Sequence, residues 1–261
     1  MSHYDPGPAA AALHRVRLDR GIVRPLPASI APRTEADGAA AQHALAVLTG
    51  EARPAGFKIG ATGKRMQEYL GLHGPAAGFM AAPNVHRASA DLRFADYIRP
   101  GVECEVAVRL ARDLPPGPCT PAEAAAAVGT FTAGIEIVEN RYDDIATLGT
   151  PTLIADQVYH CAAVIGEPAA ADWHGLDTGA LRGRITVAGG AEDEGVTTDL
   201  MGHPFNCLAW LAGSSVAAAF GGLKAGQFVM LGSVVPPIWL AGPAHVTVAF
   251  ESLPAVNVRL A

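Results

Sequence analysis

The amino-acid sequence predicts an α+β fold in which a mixed sheet body, β-roll or sandwich-like, follows an N-terminal helical region. Three observations carry this expectation. The early part of the chain is alanine-rich with apolar residues at helical spacing, short β-branched runs separated by Gly, Pro and Asp clusters follow from Gly56, and strands do not alternate regularly with helices. The division falls between a helical region over 1–55 and a β-rich body over 56–261, read as one continuous structural unit. The sequence has no GxGxxG or Walker-type loop, which removes a dinucleotide fold and a P-loop.

Helices are expected over 8–20, where Leu13 and Val16 share a face, and over 35–48, where Ala41, Leu45 and Leu48 do. Between them Pro25, Pro27 and Pro32 impose an extended connection. Strands are predicted over 56–59, 102–110, 130–138, 184–188, 227–231, 245–250 and 256–260. Thr120, Pro121 and Glu123 combine an N-cap hydroxyl, a first-turn proline and a capping-box carboxylate, so a helix should run from there to about Val128. A further helix is expected over 204–220, stopping at Gly221 and Gly222.

Half of the 261 residues are hydrophobic and 17% are charged, enough apolar material for a large core. The net charge of −6 and the lack of Lys/Arg clusters argue against a nucleic-acid partner. The first residues lack the basic-then-apolar order of a secretory signal, and the apolar run over 208–220 is too short to span a bilayer, so a cytoplasmic protein without a membrane partner is expected. Cys104, Cys119, Cys161 and Cys207 are widely spaced and read as reduced thiols.

The chemistry concentrates in a few segments. In Gly101-Val-Glu-Cys-Glu-Val-Ala-Val-Arg-Leu110, alternation puts Glu103, Glu105 and Ala107 on one strand face and Val102, Cys104, Val106 and Val108 on the other. Such a strand should be half-buried, and adjacent carboxylates on its polar face repel unless a cation or water relieves them. Ordinary acidic decoration of a solvent-facing strand explains that segment equally well. A lone Glu136 stands between Ile135 and Ile137, where a carboxylate needs a partner: either a metal, with three oxygen donors suiting Mg²⁺ or Mn²⁺, or a salt bridge to nearby Arg141. Lys58, inside the apolar Gly56-Phe-Lys-Ile-Gly60, is either an acid/base or anion-binding group or a snorkelling surface lysine.

The segments GFKIGATGKRMQEYLGL, VECEVAVRLARDL, GIEIVENR, GHPFNCLAWLA and the late GS with its VTVAFExL tail occur in an order that resembles the 2-keto-4-pentenoate hydratase and 4-oxalocrotonate decarboxylase family of the fumarylacetoacetate hydrolase superfamily. The resemblance implies a mixed β-roll fold, homo-oligomers of high order, and a divalent metal on Glu103, Glu105 and Glu136. It carries a catalytic lysine onto Lys58, an aspartate onto Asp156, and a substrate-contacting glycine-serine pair onto Gly232 and Ser233. Two departures bear on the pocket. Where relatives follow the aspartate with asparagine and small residues, this chain has Gln157, Val158, Tyr159 and His160, and His73 stands where an aspartate is common. Tyr159 and His73 are therefore expected among the substrate-binding residues.

The implied substrate is a small 2-keto or 2-hydroxydienoic acid whose carboxylate and keto oxygen chelate the ion, which acts as an electron sink. Hydration of a compound such as 2-hydroxypenta-2,4-dienoate to a 4-hydroxy-2-keto acid is the leading expectation, with Lys58 and Asp156 moving protons or placing water. Three alternatives stand beside it: decarboxylation of a 4-oxalocrotonate-type diacid, C–C hydrolysis of an acylpyruvate-like substrate, and a non-catalytic scaffold with an intact fold.

Overall fold

The computed structural model describes residues 4–169 and 172–261; residues 1–3 of the predicted helical region lie outside the described residues. The chain opens with α1 (Gly7–Leu18) and α2 (Glu35–Leu48), the second starting at a capping box in which Thr34 and Asp37 satisfy each other's backbone N–H groups. β1 (Gly56–Gly60), α3 (Lys64–Leu70), β2 (Ala76–Met80), β3 (Val85–Arg87) and β4 (Ser89–Leu92) lead into the long central pair β5 (Pro100–Leu110) and β6 (Val128–Glu139). Between the two lies α4 (Pro121–Ala126), with the Thr120–Glu123 capping box that its sequence predicts.

After β6 come α5 (Ile145–Leu148), α6 (Thr150–Ala155), β7 (His160–Ile165), β8 (Arg182–Val187) and β9 (Glu192–Val196). The helix predicted over 204–220 is two helices, α7 (Pro204–Ala212) and α8 (Ser215–Ala219). The break falls at Ser214, whose hydroxyl accepts from the Ala217 N–H as an N-cap and starts the second helix afresh. β10 (Phe228–Ser233), β11 (Ile238–Trp239), β12 (Ala244–Phe250) and β13 (Val256–Leu260) complete the chain.

The strands form two mixed sheets. The larger runs β2-β1-β10-β5-β6-β7-β3 with β11 also on β5, and the smaller runs β4-β13-β12-β8-β9. Val102, Cys104, Val106 and Val108 of β5 share one core with Val246 and Val248 of β12 and Val256 and Val258 of β13, so the sheets pack against each other there. The opposite face of β5 is not the solvent-facing surface its alternation suggests. Glu105 and Ala107 are fully buried, and Ala107 packs in a second apolar cluster with Met80, Ala163, Ile165 and Met230. Solvent is excluded because neighbouring strands bring large apolar side chains to the same face.

The N-terminal helices are stitched onto this body. Buried Gln42 of α2 donates from Nε2 to the carbonyls of Ala77 (2.9 Å) and Ile154 (2.6 Å) and accepts from the Phe79 N–H (3.0 Å). One side chain thus ties α2 to both β2 and α6, satisfying buried backbone groups that would otherwise be orphaned. Among the described residues no helix is long and apolar enough to cross a membrane.

Candidate metal centre

Register brings the acidic residues together. Glu103 of β5 lies opposite Glu136 of β6, Glu105 lies opposite Gly134, and one row further along the same face Ala107 pairs with Met230, which pairs with Lys58 of β1. Directly paired residues point to the same side of a sheet. The two acidic segments and the lysine therefore converge on one face although up to 78 positions separate them in the sequence.

Glu103, Glu105 and Glu136 each present a carboxylate oxygen, and the three oxygens lie within 4.8 Å of one another. One oxygen of each of the two buried glutamates is held by the protein. Glu105 Oε2 accepts from the Gly232 N–H (2.9 Å), while Glu136 Oε1 faces His160 Nδ1 (2.8 Å) and Lys58 Nζ (3.3 Å). The other oxygens, Glu105 Oε1 and Glu136 Oε2, are buried with no hydrogen-bond partner among the described residues. A buried orphaned carboxylate oxygen costs several kcal/mol, on the order of 1–3 or more for a charged group, unless something meets it.

Electrostatics agree with this reading. Burial, then the adjacent Glu136, raises the Glu103 carboxyl to about 8. Glu105 is raised well above the carboxylate range by burial and by the other two glutamates. Burial would raise Glu136 too, but Lys58 and His160 outweigh it and hold the group at about 2. The three acids thus face one ammonium, and protons must fill the deficit unless a cation does. An all-oxygen donor set with unsatisfied, converging lone pairs fits a hard divalent ion.

Gly232 is shaped for its role. A register shift between Met230 and Ser233 marks an irregularity in the β10–β5 pairing, and Gly232 adopts φ +110° there, turning its N–H toward Glu105. A Cβ at this position would also meet Thr62 Cγ2 at 2.6 Å. The next residue, Ser233, reaches the same region, but its hydroxyl is engaged with the backbone, accepting from the Cys104 N–H (3.1 Å) and donating to the Val235 carbonyl (2.7 Å).

A cavity of about 550 Å³ opens over the centre, with Lys58, Glu103 and Ser233 at its polar end. Met66, Leu70, Val138, Val158 and Trp239 furnish apolar walls. Tyr159 lines it as well, set edge-on to Tyr142 at 4.7 Å between ring centroids. Tyr159 gets there through three consecutive left-handed residues, Gln157 (φ 62°), Val158 (φ 50°) and Tyr159 (φ 66°). Such backbone is costly for non-glycine residues, above all for β-branched Val158, and persists only where its surroundings impose it. Here Lys58 Nζ donates to the Val158 carbonyl (2.5 Å), Gln157 Nε2 donates to the Phe79 carbonyl (2.6 Å), and Gly78 lets the turn close, since a Cβ there would lie 2.6 Å from the Gln157 oxygen.

Two residues that the resemblance singled out lie elsewhere. Asp156 is fully buried away from the cavity lining, receiving Arg17 Nε (2.8 Å), Arg141 Nη2 (3.1 Å) and the Tyr142 hydroxyl (2.8 Å). Burial would raise its carboxyl, but Arg141 and Arg17 hold it low. Arg141 also pairs with Glu139 (2.5 Å), so it is not the partner of Glu136 that the salt-bridge alternative required. His73 is exposed and does not line the cavity. Two residues without an assigned role from the sequence do enter the site: His160 beneath Glu136, and Asp199 on the cavity wall. Nothing in local spacing signals Asp199, which a short helical turn over Thr197–Asp199 delivers from a distant loop.

Comparison with known proteins gives a consistent answer. The family model described as fumarylacetoacetate (FAA) hydrolase C-terminal matches residues 57–261. The chain is 30% identical over 252 residues to a 2-keto-4-pentenoate hydratase of Paraburkholderia phymatum, covering 95% of this chain and 94% of that one. It is 30% identical over 210 residues to a 2-hydroxyhexa-2,4-dienoate hydratase of Comamonas testosteroni, covering 79% and 78%. Among solved structures, 4-oxalocrotonate decarboxylase from Pseudomonas putida G7, complexed with magnesium and adipate, superposes with a TM-score of 0.88 over 100% of this chain and 99% of that one, at 20% identity. The chain belongs to the fumarylacetoacetate hydrolase superfamily, within its 2-keto-4-pentenoate hydratase and 4-oxalocrotonate decarboxylase family.

Proposed function

We propose that the protein is a Mg²⁺- or Mn²⁺-dependent lyase of a small 2-keto or 2-hydroxydienoic acid, and that its geometry best supports decarboxylation of a vinylogous 2-keto diacid of the 4-oxalocrotonate type. Glu103, Glu105 and Glu136 would hold the ion, which supplies a Lewis acid for the carboxylate and keto oxygen of the substrate. The observation that carries the choice of reaction is the position of Asp156. Its oxygens are occupied by two arginines and a tyrosine outside the cavity, so the residue expected to place water for hydration is bound up elsewhere. Loss of carbon dioxide needs no activated water. It needs a carboxylate taken out of solvent, and the walls built from Met66, Leu70, Val138, Val158 and Trp239 provide that surrounding. Lys58 stands at the polar end with a proton at Nζ, able to pair with the retained carboxylate or return a proton to the product.

Hydration is the second reading, supported by the full-length likeness to a 2-keto-4-pentenoate hydratase and by Asp199, a carboxylate on the cavity wall that can place water. The deciding experiment supplies a 4-oxalocrotonate-type diacid, a 2-hydroxydienoate and an acylpyruvate separately, with and without Mg²⁺, and identifies products. Metal-dependent carbon dioxide release from the diacid is expected. A 4-hydroxy-2-keto acid from the dienoate would select hydration, cleavage of the acylpyruvate would select C–C hydrolysis, and turnover of none would leave a scaffold.

A further inference from the structure

We infer that His160 is a positioning residue for the metal centre, fixing one oxygen of Glu136 so that the other is presented to the ion. The inference rests on the metal reading above and adds a residue to it. His160 is 2% exposed, and its Nδ1 lies 2.8 Å from Glu136 Oε1, within ordinary hydrogen-bond length. A carboxylate only accepts, so Nδ1 carries the hydrogen and donates. The carboxylate is planar, and fixing Oε1 sets the direction of Oε2, the buried oxygen with no partner among the described residues.

Lys58 cannot fix that direction alone. Its Nζ is 3.3 Å from Oε1 and is directed at the Val158 carbonyl at 2.5 Å, and an ammonium attracts without imposing a plane. The imidazole arrives there because the β6–β7 pairing slips between Ile137 and Val138, returning the first residue of β7 toward Glu136. On its far side His160 lines a second cavity of about 210 Å³ with Arg17, Asn84, Gln157 and Cys161. Among the described residues Nε2 is buried with no hydrogen-bond partner. A buried imidazole donating to one carboxylate oxygen at 2.8 Å restrains rotation of that carboxylate, which is the condition for holding a metal ligand in one orientation.

The test measures Mn²⁺ binding directly, by the electron paramagnetic resonance signal of the free ion, on the wild type and three variants. H160N puts an amide N–H where Nδ1 stands, H160Q puts one near Nε2, and H160L offers neither. Wild type should bind one Mn²⁺ per chain, H160N should stay within about 3-fold of it, and H160L and H160Q should lose about 10–100-fold in affinity. Far-ultraviolet circular dichroism confirms folding, and should H160L fail to fold, H160Q decides. Wild-type affinity in H160Q or H160L, or an equal loss in H160N, would overturn the inference while leaving the metal reading standing. No Mn²⁺ binding by the wild type would remove both.

Discussion

Glu103 and Glu136 stand directly opposite each other on the two longest strands of the larger sheet, both carboxylates on the face that also carries Lys58. Like charges in that relationship are destabilising by themselves. Their placement is intelligible as half of an ion-binding pair, the protein contributing negative charge that an incoming cation neutralises.

Metal binding should therefore be coupled to pH. Folding raises the Glu103 carboxyl from 4.5 to about 8, so its contribution to stability is full below pH 4.5 and is lost as pH climbs through about 8, and Glu105, raised in the same direction by burial and the neighbouring glutamates, acts in the same sense. Glu136 runs in the opposite sense: lowered to about 2, it contributes above pH 4.5 and loses that contribution as pH falls toward 2. Metal-free protein should be less stable at pH 8 than at pH 5.5. Added Mn²⁺ should raise Tm by about 5 °C or more at pH 8 and by roughly 2 °C or less at pH 5.5. Calorimetry in buffers of different ionisation enthalpy should register protons released as the ion binds.

Lys58→Met removes the ammonium that faces Glu136 and the Val158 carbonyl, both buried. Loss of about 3–5 kcal/mol in urea unfolding of the metal-free protein is expected, because a charge is left without its counter-charge. Saturating Mn²⁺ should restore part of it, since the ion takes over that neutralisation. Turnover should fall at least about 100-fold, the range of a lost proton-transfer group.

Asp156→Asn should act chiefly on stability. It leaves Arg17 and Arg141 facing a neutral group in a buried setting, with an expected loss of about 3 kcal/mol. Urea titration beside kcat measured on folded protein separates the roles. A stable variant without turnover would instead place Asp156 in the chemistry.

Gly232→Ala forces a side chain into φ +110° and toward Thr62. A stability loss of about 1–3 kcal/mol is expected. The Gly232 N–H that holds Glu105 should shift with it, and Mn²⁺ affinity should drop about 10-fold, measurable by the same free-ion signal.

Much of the fold is legible in the sequence. The 35–48 helix and the 256–260 strand fall at their predicted bounds, and the central strands are found with two added residues in β5 and three in β6, because β-branched alternation and capping boxes are local signals. β2, with its Ala-Ala-Gly-Phe-Met, was invisible for the opposite reason: it is held by pairing with β1 and carries little propensity of its own. The three glutamates were legible as a set only through family resemblance, since spacing places Glu103 and Glu105 together but the approach of Glu136 depends on register. The engagement of Asp156 was not legible, because Arg17 lies 139 positions away and only the packed chain brings it near.

That long-range tie has a mechanical meaning. The first helix contributes a guanidinium that clasps the residue just ahead of the left-handed turn, and the same turn supplies the carbonyl gripping Lys58 and the ring of Tyr159. Clipping the chain after α1 would strip one of the two counter-ions from Asp156 and slacken the turn at its root. Limited proteolysis within the proline-rich connector should accordingly impair the ion-binding end of the molecule, even though every carboxylate there stays in the surviving fragment.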